Sequence, residues 1–201
     1  MPRVADQYLE ARITQAAHKL WRVRGAKGLT LRSVARAAGT TTTTVYKRFR
    51  NKEALLLALA ELVQMKITAT TTSAPTIEDA YRRFLRFAER HPHEYKLLWG
   101  PAWSEVLKPG RPRPIKAWLL EKFATRFGGQ PEEYVSVYYA LFLLIHGTAN
   151  LLSVARDRRA KAEMRDNCLA ICDALVANIE VLKVPGPRHR KDLLSERDKR
   201  T

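Results

Sequence analysis

The chain has 201 residues, 46% of them hydrophobic, which suffices for one or two domains with a substantial buried core. Its formal net charge is +16, and residues 1–52 hold twelve Lys and Arg against Asp6 and Glu10, a net +10. This asymmetry indicates a polyanionic partner for the first part of the chain. The charged opening MPRVADQYLEARI lacks the apolar core of a secretory signal, so we expect a cytoplasmic protein.

The first predicted element is a helix over residues 6–24, ended by Gly25 and Gly28. Its apolar residues recur at helical spacing and therefore predict one buried face. That stripe consists of Leu9, Ile13, Ala16, Ala17, Leu20 and Trp21.

Residues 29–55, LTLRSVARAAGTTTTTVYKRFRNKEAL, predict two short helices and the start of a third. Thr30 is a suitable N-cap for the first helix, and Thr41 for the second, because their hydroxyls can accept unpaired backbone N–H groups. Gly39 suits the position after the first helix, where a positive φ is needed. Asn51 is the predicted cap of the third helix, whose buried stripe is Leu55, Leu56, Leu59, Val63 and Ile67.

The five threonines at 40–44 leave two interpretations open. They are mediocre helix formers and could form a low-complexity linker. However, the flanking apolar residues stay in helical register, with Val45 and Phe49 pointing inward. The helical interpretation then leaves an outward face of Thr42, Thr43, Tyr46 and Lys47. Threonine hydroxyls can reach phosphates, and their methyl groups can contact thymine methyl groups.

Across residues 9–60 the sequence resembles the TetR family of transcriptional regulators. The matching residues are Val34, Ala35, Ala38, Gly39, Thr41, Thr44, Val45, Tyr46, Phe49, Lys52 and Glu53. The resemblance implies a three-helix DNA-binding domain whose second and third helices form a helix-turn-helix. It implies phosphate contacts from Thr41, Thr44, Tyr46 and Lys52, and base contacts from Arg32, Thr42, Thr43 and Lys47. Thr30 and Arg48 complete the expected DNA-binding set.

The remaining sequence predicts helices only, so the expected fold class is all-α with about nine helices. The predicted helices after the cap Asn51 cover 52–67, 77–91, 93–100, 115–127, 131–157 and 161–183. We expect a DNA-binding domain at 1–52, a helical ligand-binding and dimerisation domain at 53–184, and a basic mobile tail at 185–201.

The C-terminal half resembles a TetR subgroup that carries a Trp-His-Gly signature near its dimer interface. His146-Gly147 and the segment HPHEYKLLWG at 91–100 carry the likeness, with Phe142 where tryptophan is expected. The resemblance implies a homodimer formed through a four-helix bundle. The expected interface residues are His146, Gly147, Cys168, Cys172, Leu175 and Ile179.

Together these features predict a sequence-specific regulator, specifically a repressor that a small-molecule effector releases from its double-stranded DNA operator. The expected effector pocket is lined by aromatic residues, namely Trp99, Trp103, Trp118, Phe123 and Phe142. Such a lining suits an apolar or aromatic compound. The chain shows no metal-ligand spacing, no P-loop, no G-x-S-x-G and no dinucleotide-binding turn, so neither catalysis nor a metal or cofactor is expected.

The sequence raises three further alternatives, one of which is rejected. An architectural DNA-binding protein without ligand control would share the basic first domain. A membrane span over the uncharged residues 134–155 is disfavoured because that segment contains too many polar groups, and we expect no membrane partner. Cys168 and Cys172, four residues apart, are either buried small side chains in a reducing compartment or a redox pair.

Overall fold

The computed structural model describes residues 4–99 and 110–183, with side chains from residue 8 onward. Trp103 and the predicted tail at 185–201 lie outside the described residues. Within the described ranges all regular structure is helical, which confirms the all-α class, and the α-helices number ten rather than about nine. They are α1 (Val4–Gly28), α2 (Leu31–Ala37), α3 (Thr42–Arg48), α4 (Lys52–Thr72), α5 (Ile77–Arg90), α6 (Pro92–Leu98), α7 (Pro114–Phe127), α8 (Val135–Val154), α9 (Arg158–Ala177) and α10 (Ile179–Leu182).

The chain folds as two compact units, each assembled from two stretches of sequence. The first unit comprises Met1–Ala69 and Phe87–Arg111, and the second comprises Thr70–Arg86 and Pro112–Thr201. The first unit therefore contains α1, α2, α3, most of α4, and α6. The second contains α7 to α10 and most of α5.

The core of the first unit is formed by the apolar faces of α1 to α4 and α6. Its buried side chains include Ile13, Trp21, Leu29, Val34, Val45, Phe49, Leu55, Leu59, Val63, Ile67 and Leu98. This confirms the stripes predicted for α1 and α4, except that Leu9, Leu20 and Leu56 are only half-buried. Full burial of such a side chain stabilises the fold by about 1.5–3 kcal/mol.

A chain of polar contacts crosses this core and joins α4, α1 and α6. Lys66 Nζ donates to His18 Nδ1 at 3.2 Å, and His18 Nε2 donates to Glu94 Oε1 at 2.5 Å. Glu94 is only 3% exposed, so its carboxyl group depends on these neighbours in place of water.

Gly25 interrupts α1, as the sequence predicts. Its φ of 56° lies in the left-handed region that favours glycine. A Cβ atom at this position would lie 2.8 Å from Nδ1 of His93. In addition, Trp21 Nε1 donates to the carbonyl of His93 at 2.6 Å. The end of α1 is therefore fitted closely against the start of α6.

In the second unit, α7 ends at Gly128, which has a φ of 78°, as predicted. The expected start of a long helix at Pro131 is wrong in one detail. Residues Pro131–Tyr134 form a 3-10 turn, and the α-helix begins only at Val135. Tyr134 accounts for this turn, because its O–H donates to the carbonyl of Gly128 at 2.5 Å while its ring stacks on Phe123 at 5.5 Å.

The last long helix, α9, begins at Arg158, three residues earlier than predicted. Asp157 caps it, with Oδ2 accepting from the backbone N–H of Ala160 at 2.6 Å. The helix breaks at Asn178 before α10, where the sequence predicts one continuous helix. Ile171, expected on the buried side, is 50% exposed, whereas Cys168 and Cys172 are buried and free.

Two described helical segments, Lys52–Thr72 and Pro131–Val154, are long and apolar enough to cross a membrane by composition. The first supplies Leu55, Leu59 and Val63 to a packed core, and the second supplies Leu141 and Leu152. A buried core helix accounts for such a composition, so these segments do not indicate a membrane protein.

Candidate DNA-binding site

The first helix of the predicted helix-turn-helix, α2, is capped at its start by a reciprocal pair of hydrogen bonds. Thr30 Oγ1 accepts from the backbone N–H of Ser33 at 3.0 Å, and Ser33 Oγ accepts from that of Thr30 at 3.0 Å. Val34 and Ala35 bury the inner face. Arg32 is therefore held on the exposed side of a short but well-defined helix.

The turn between α2 and α3 depends on Gly39 and Arg12. Gly39 has a φ of 61°, which confirms the predicted left-handed position after α2. Arg12 Nη2 of α1 donates to the carbonyl of Ala38 at 2.8 Å and so fixes the turn to the first helix. Sequence patterns missed Arg12, because a cation on the polar side of an amphipathic helix gives no sign of its acceptor.

The threonine run forms the start of α3, so the linker interpretation is wrong. Thr41 Oγ1 accepts from the backbone N–H of Thr44 at 3.1 Å, and the two hydroxyls are 2.9 Å apart. Val45 and Phe49 are buried, as predicted, and lock the inner face of the helix.

The outer face of α3 combines polar, cationic and aromatic side chains. Thr43 and Lys47 are exposed, and Tyr46 is 57% exposed although it is a large aromatic residue. Thr42 and Thr44 are half-buried beside them. An exposed tyrosine beside a lysine and threonine hydroxyls offers hydrogen-bond donors and a ring to a polar partner.

Arg48 is half-buried and has a partner, whereas Thr30, Arg32, Thr41 and Lys52 are exposed. Arg32, Lys47 and Lys52 form no ion pair with any residue that the structure describes. No Asp or Glu occurs between Glu10 and Glu53 in the sequence. The positive charge around α2 and α3 therefore remains available to an external anion.

The family described as "Bacterial regulatory proteins, tetR family" matches residues 13–59, which contain α2, α3 and the capped turn. The chain carries a TetR-family N-terminal domain. That family comprises bacterial regulatory proteins, so residues 13–59 are similar to the N-terminal domain of such regulators.

Solved TetR-family structures share the fold over most of this chain. A putative TetR-family regulator from Mesorhizobium loti is 24% identical with a TM-score of 0.60, over 90% of this chain and 100% of that one. SCO7222, a TetR from Streptomyces coelicolor, is 21% identical with a TM-score of 0.62, over 87% and 98%. A TetR-family regulator from Haemophilus influenzae is 19% identical with a TM-score of 0.53, over 84% and 98%. No curated protein matches this chain in sequence.

The aromatic residues predicted for an effector pocket are distributed over both units. Trp99 is half-buried in the first unit, whereas Trp118, Phe123 and Phe142 belong to the second. Phe123 is fully buried in its stack with Tyr134, so it serves as core. Phe142 is half-buried, with its ring centroid 4.3 Å from that of His146.

His146 is buried between two phenylalanine rings of the second unit. Phe84 approaches it edge-on at 4.8 Å, and Phe142 lies on another side. This burial lowers the pKa of His146 to about 3, because the charged imidazolium would lose its water. His146 is therefore neutral at physiological pH.

The other residues predicted at a dimer interface lie at different depths. Cys168, Cys172 and Ile179 are buried within their own subunit, and Leu175 is half-buried. Gly147 is exposed, and an added Cβ would meet nothing within 4 Å. Sequence periodicity did not indicate that several apolar side chains of α8 and α9 are exposed, namely Tyr139, Leu143, Leu151, Val154 and Ile171.

Proposed function

We propose that this protein is a sequence-specific, homodimeric repressor that binds operator DNA through α3 and is released by a small-molecule effector. The main support for this proposal is the orientation of α3. Val45 and Phe49 are buried on its inner face, while Tyr46 and Lys47 are exposed on its outer face. A helix presented in this way fits the major groove of B-DNA, which is about 12 Å wide. Such a regulator acts in the cytoplasm, where its operator lies.

The proposed contacts follow the chemistry of the exposed and half-buried side chains. Arg32 and Lys47 can donate to guanine O6 and N7, and the threonine methyl groups can touch thymine. Thr41, Thr44, Tyr46 and Lys52 are proposed to hold phosphates. Phosphate contacts position the domain, whereas base contacts specify the sequence.

A stripe on α8 supports the homodimer. Tyr139, Leu143, Gly147 and Leu151 follow each other at intervals of four residues and are all exposed in the single chain. A row of this spacing covers one side of a helix, and Gly147 allows another helix to approach closely. We propose that this α8 stripe, together with Ile171 of α9, packs against the same residues of a second copy. The dimer would place two copies of α3 about 34–36 Å apart, one turn of DNA.

Effector binding is proposed for the second unit, near Phe142 and His146. Rings beside a neutral imidazole suit a mostly apolar compound with one hydrogen-bonding group. The effector can release DNA only if it binds the DNA-free conformation more tightly than the DNA-bound one.

The decisive experiment is selection of bound duplexes from random DNA by the full chain, followed by affinity measurements on the selected and scrambled sites. We expect a palindromic site that binds at least about 1,000-fold more tightly than scrambled DNA. Equal affinity for both duplexes would overturn the proposal and favour a ligand-independent architectural protein. Sedimentation of the protein–DNA complex tests the proposed dimer, because it shows whether one or two chains occupy each site.

A further inference from the structure

A cavity of about 410 Å³ lies within the first unit, between α1 and the junction of α5 with α6. Its size falls in the range of about 300–1,000 Å³ that is typical of small-molecule sites. The lining residues are Lys19, Arg22, Val23, Arg90, His91, Pro92, His93 and Glu94. None of these residues belongs to the exposed face of α3 or to the aromatic cluster of the second unit.

The charge on the cavity wall is predominantly positive. Lys19, Arg22 and Arg90 provide three cations, and Glu94 is the single acidic lining residue. Lys19 and Arg90 form no ion pair with any residue in the described part of the chain. Their charges are therefore available to a molecule that enters the cavity.

The single carboxyl group of the wall is bonded at one oxygen, since Glu94 Oε1 accepts from His18. Glu94 Oε2 lies 2.9 Å from His91 Nδ1 and 3.6 Å from Arg22 Nε but accepts no hydrogen bond from the described residues. The carboxyl group is buried, with 4% of the side chain exposed. Glu94 thus lies buried among the side chains of His18, His91 and Arg22 and leaves the exposed part of the wall positively charged.

The start of α6, which forms one side of the cavity, is fixed against α1. Trp21 Nε1 donates to the carbonyl of His93, and the imidazole of His93 occupies the space beside Gly25. Val23 and Pro92 add apolar surface to the same cavity. A wall that combines three exposed cations with a mostly apolar surface matches an organic molecule that carries an oxyanion.

We propose that this cavity binds a small organic oxyanion, a carboxylate or a phosphate ester, through Lys19, Arg22 and Arg90. The ligand would contact α1, which also carries Arg12 and so holds the turn of the helix-turn-helix. Any effect on DNA affinity rests on the proposed function, whereas binding of the anion itself does not.

The test is isothermal titration calorimetry of the full chain with citrate, pyrophosphate and inorganic phosphate at constant ionic strength and pH. The double variant Lys19→Gln/Arg90→Gln removes two of the proposed contacts. Lys96→Gln is the matched control, because Lys96 is exposed on α6 but does not line the cavity. Thermal melting of each variant verifies that it is folded.

We expect saturable binding of citrate or pyrophosphate with one site per chain, weakened about tenfold or more in the double variant and unchanged in Lys96→Gln. A preference for citrate would identify a carboxylate site, and a preference for pyrophosphate a phosphate site. The proposal is overturned by non-saturable heats, by an unaffected double variant, or by equal losses in Lys96→Gln. It is also overturned if the double variant loses only DNA affinity, because these side chains would then contact DNA phosphates.

Discussion

The guanidinium group of Arg12 donates to the carbonyl oxygen of Ala38 at 2.8 Å, across 26 residues of sequence. This bond joins α1 to the turn from which α3 starts. A charge-assisted hydrogen bond of this kind contributes about 1.5–3 kcal/mol when it is well shielded, and less when part-buried.

Replacement of Arg12 by Ala should therefore lower the free energy of unfolding by about 1–2 kcal/mol and weaken operator binding more than one lost charge explains. Urea denaturation and fluorescence anisotropy on a labelled operator measure the two effects. Arg36→Ala is the control, because Arg36 is exposed on α2 and its side chain bonds no described residue. Identical results for both variants would show that the Ala38 contact has no role.

Arg32 and Lys52 should differ in what they contribute to DNA binding. Arg32→Ala should reduce discrimination between operator and scrambled DNA, because a base contact is worth about 1–3 kcal/mol. Lys52→Ala should weaken binding to both duplexes alike and reduce the salt slope by about one unit, as expected for a phosphate contact. Titrations at several salt concentrations separate these outcomes, and equal behaviour of the two variants would contradict the assigned roles.

The α8 stripe predicts a dimer that is sensitive to charge. Leu143 is 66% exposed in the single chain. Its replacement by Glu would place two carboxylates in the interface of the dimer, one from each copy. We expect the dissociation constant to rise by roughly 100-fold or more, because unpaired charges are costly to bury. Val181→Glu is the matched control on an exposed apolar residue of α10. Sedimentation equilibrium measures both, and a fully dimeric Leu143→Glu protein would exclude this interface.

His146 should make stability depend on pH in a defined direction. Its pKa is lowered to about 3 in the folded protein, from 6.5. Because the unfolded chain binds the proton more readily, the stabilising effect is complete above pH 6.5 and is lost as the pH falls from there toward 3. Between pH 7 and 5 the loss is about 2 kcal/mol.

Urea denaturation of the wild-type protein and His146→Gln at both pH values measures this loss. The variant should lack that part of the pH dependence, whereas His93→Gln, which alters an exposed imidazole, should retain it. A wild-type profile parallel to that of His146→Gln would refute the assignment.

Much of this fold is predictable from sequence because its signals are local. Thr30, Gly39 and Thr41 act within a few residues of the helix ends that they define, and Val45 and Phe49 share a face through helical periodicity alone. Periodicity also predicted Ile171 to be buried, which is wrong. Its exposure depends on which neighbouring helix covers each side of α9, and a single helix does not carry that information.

The contacts that the sequence did not indicate are those that join distant segments. His18 meets Glu94 across 76 residues, and the cavity beside them combines Lys19 and Arg22 with Arg90. Scattered basic residues on a helix normally face solvent, so their positions in the sequence did not indicate a shared site. Only the packing of α6 against α1 creates the site.

The first unit is assembled from two separate stretches of sequence, and this affects the design of shortened versions of the protein. A fragment that stops near residue 69 would encode the whole family match, yet it would lack α6. His18 would then lose its acceptor Glu94, and Trp21 Nε1 would lose the carbonyl of His93. A fusion of this N-terminal segment to a different C-terminal domain should therefore include Phe87–Trp99 as well.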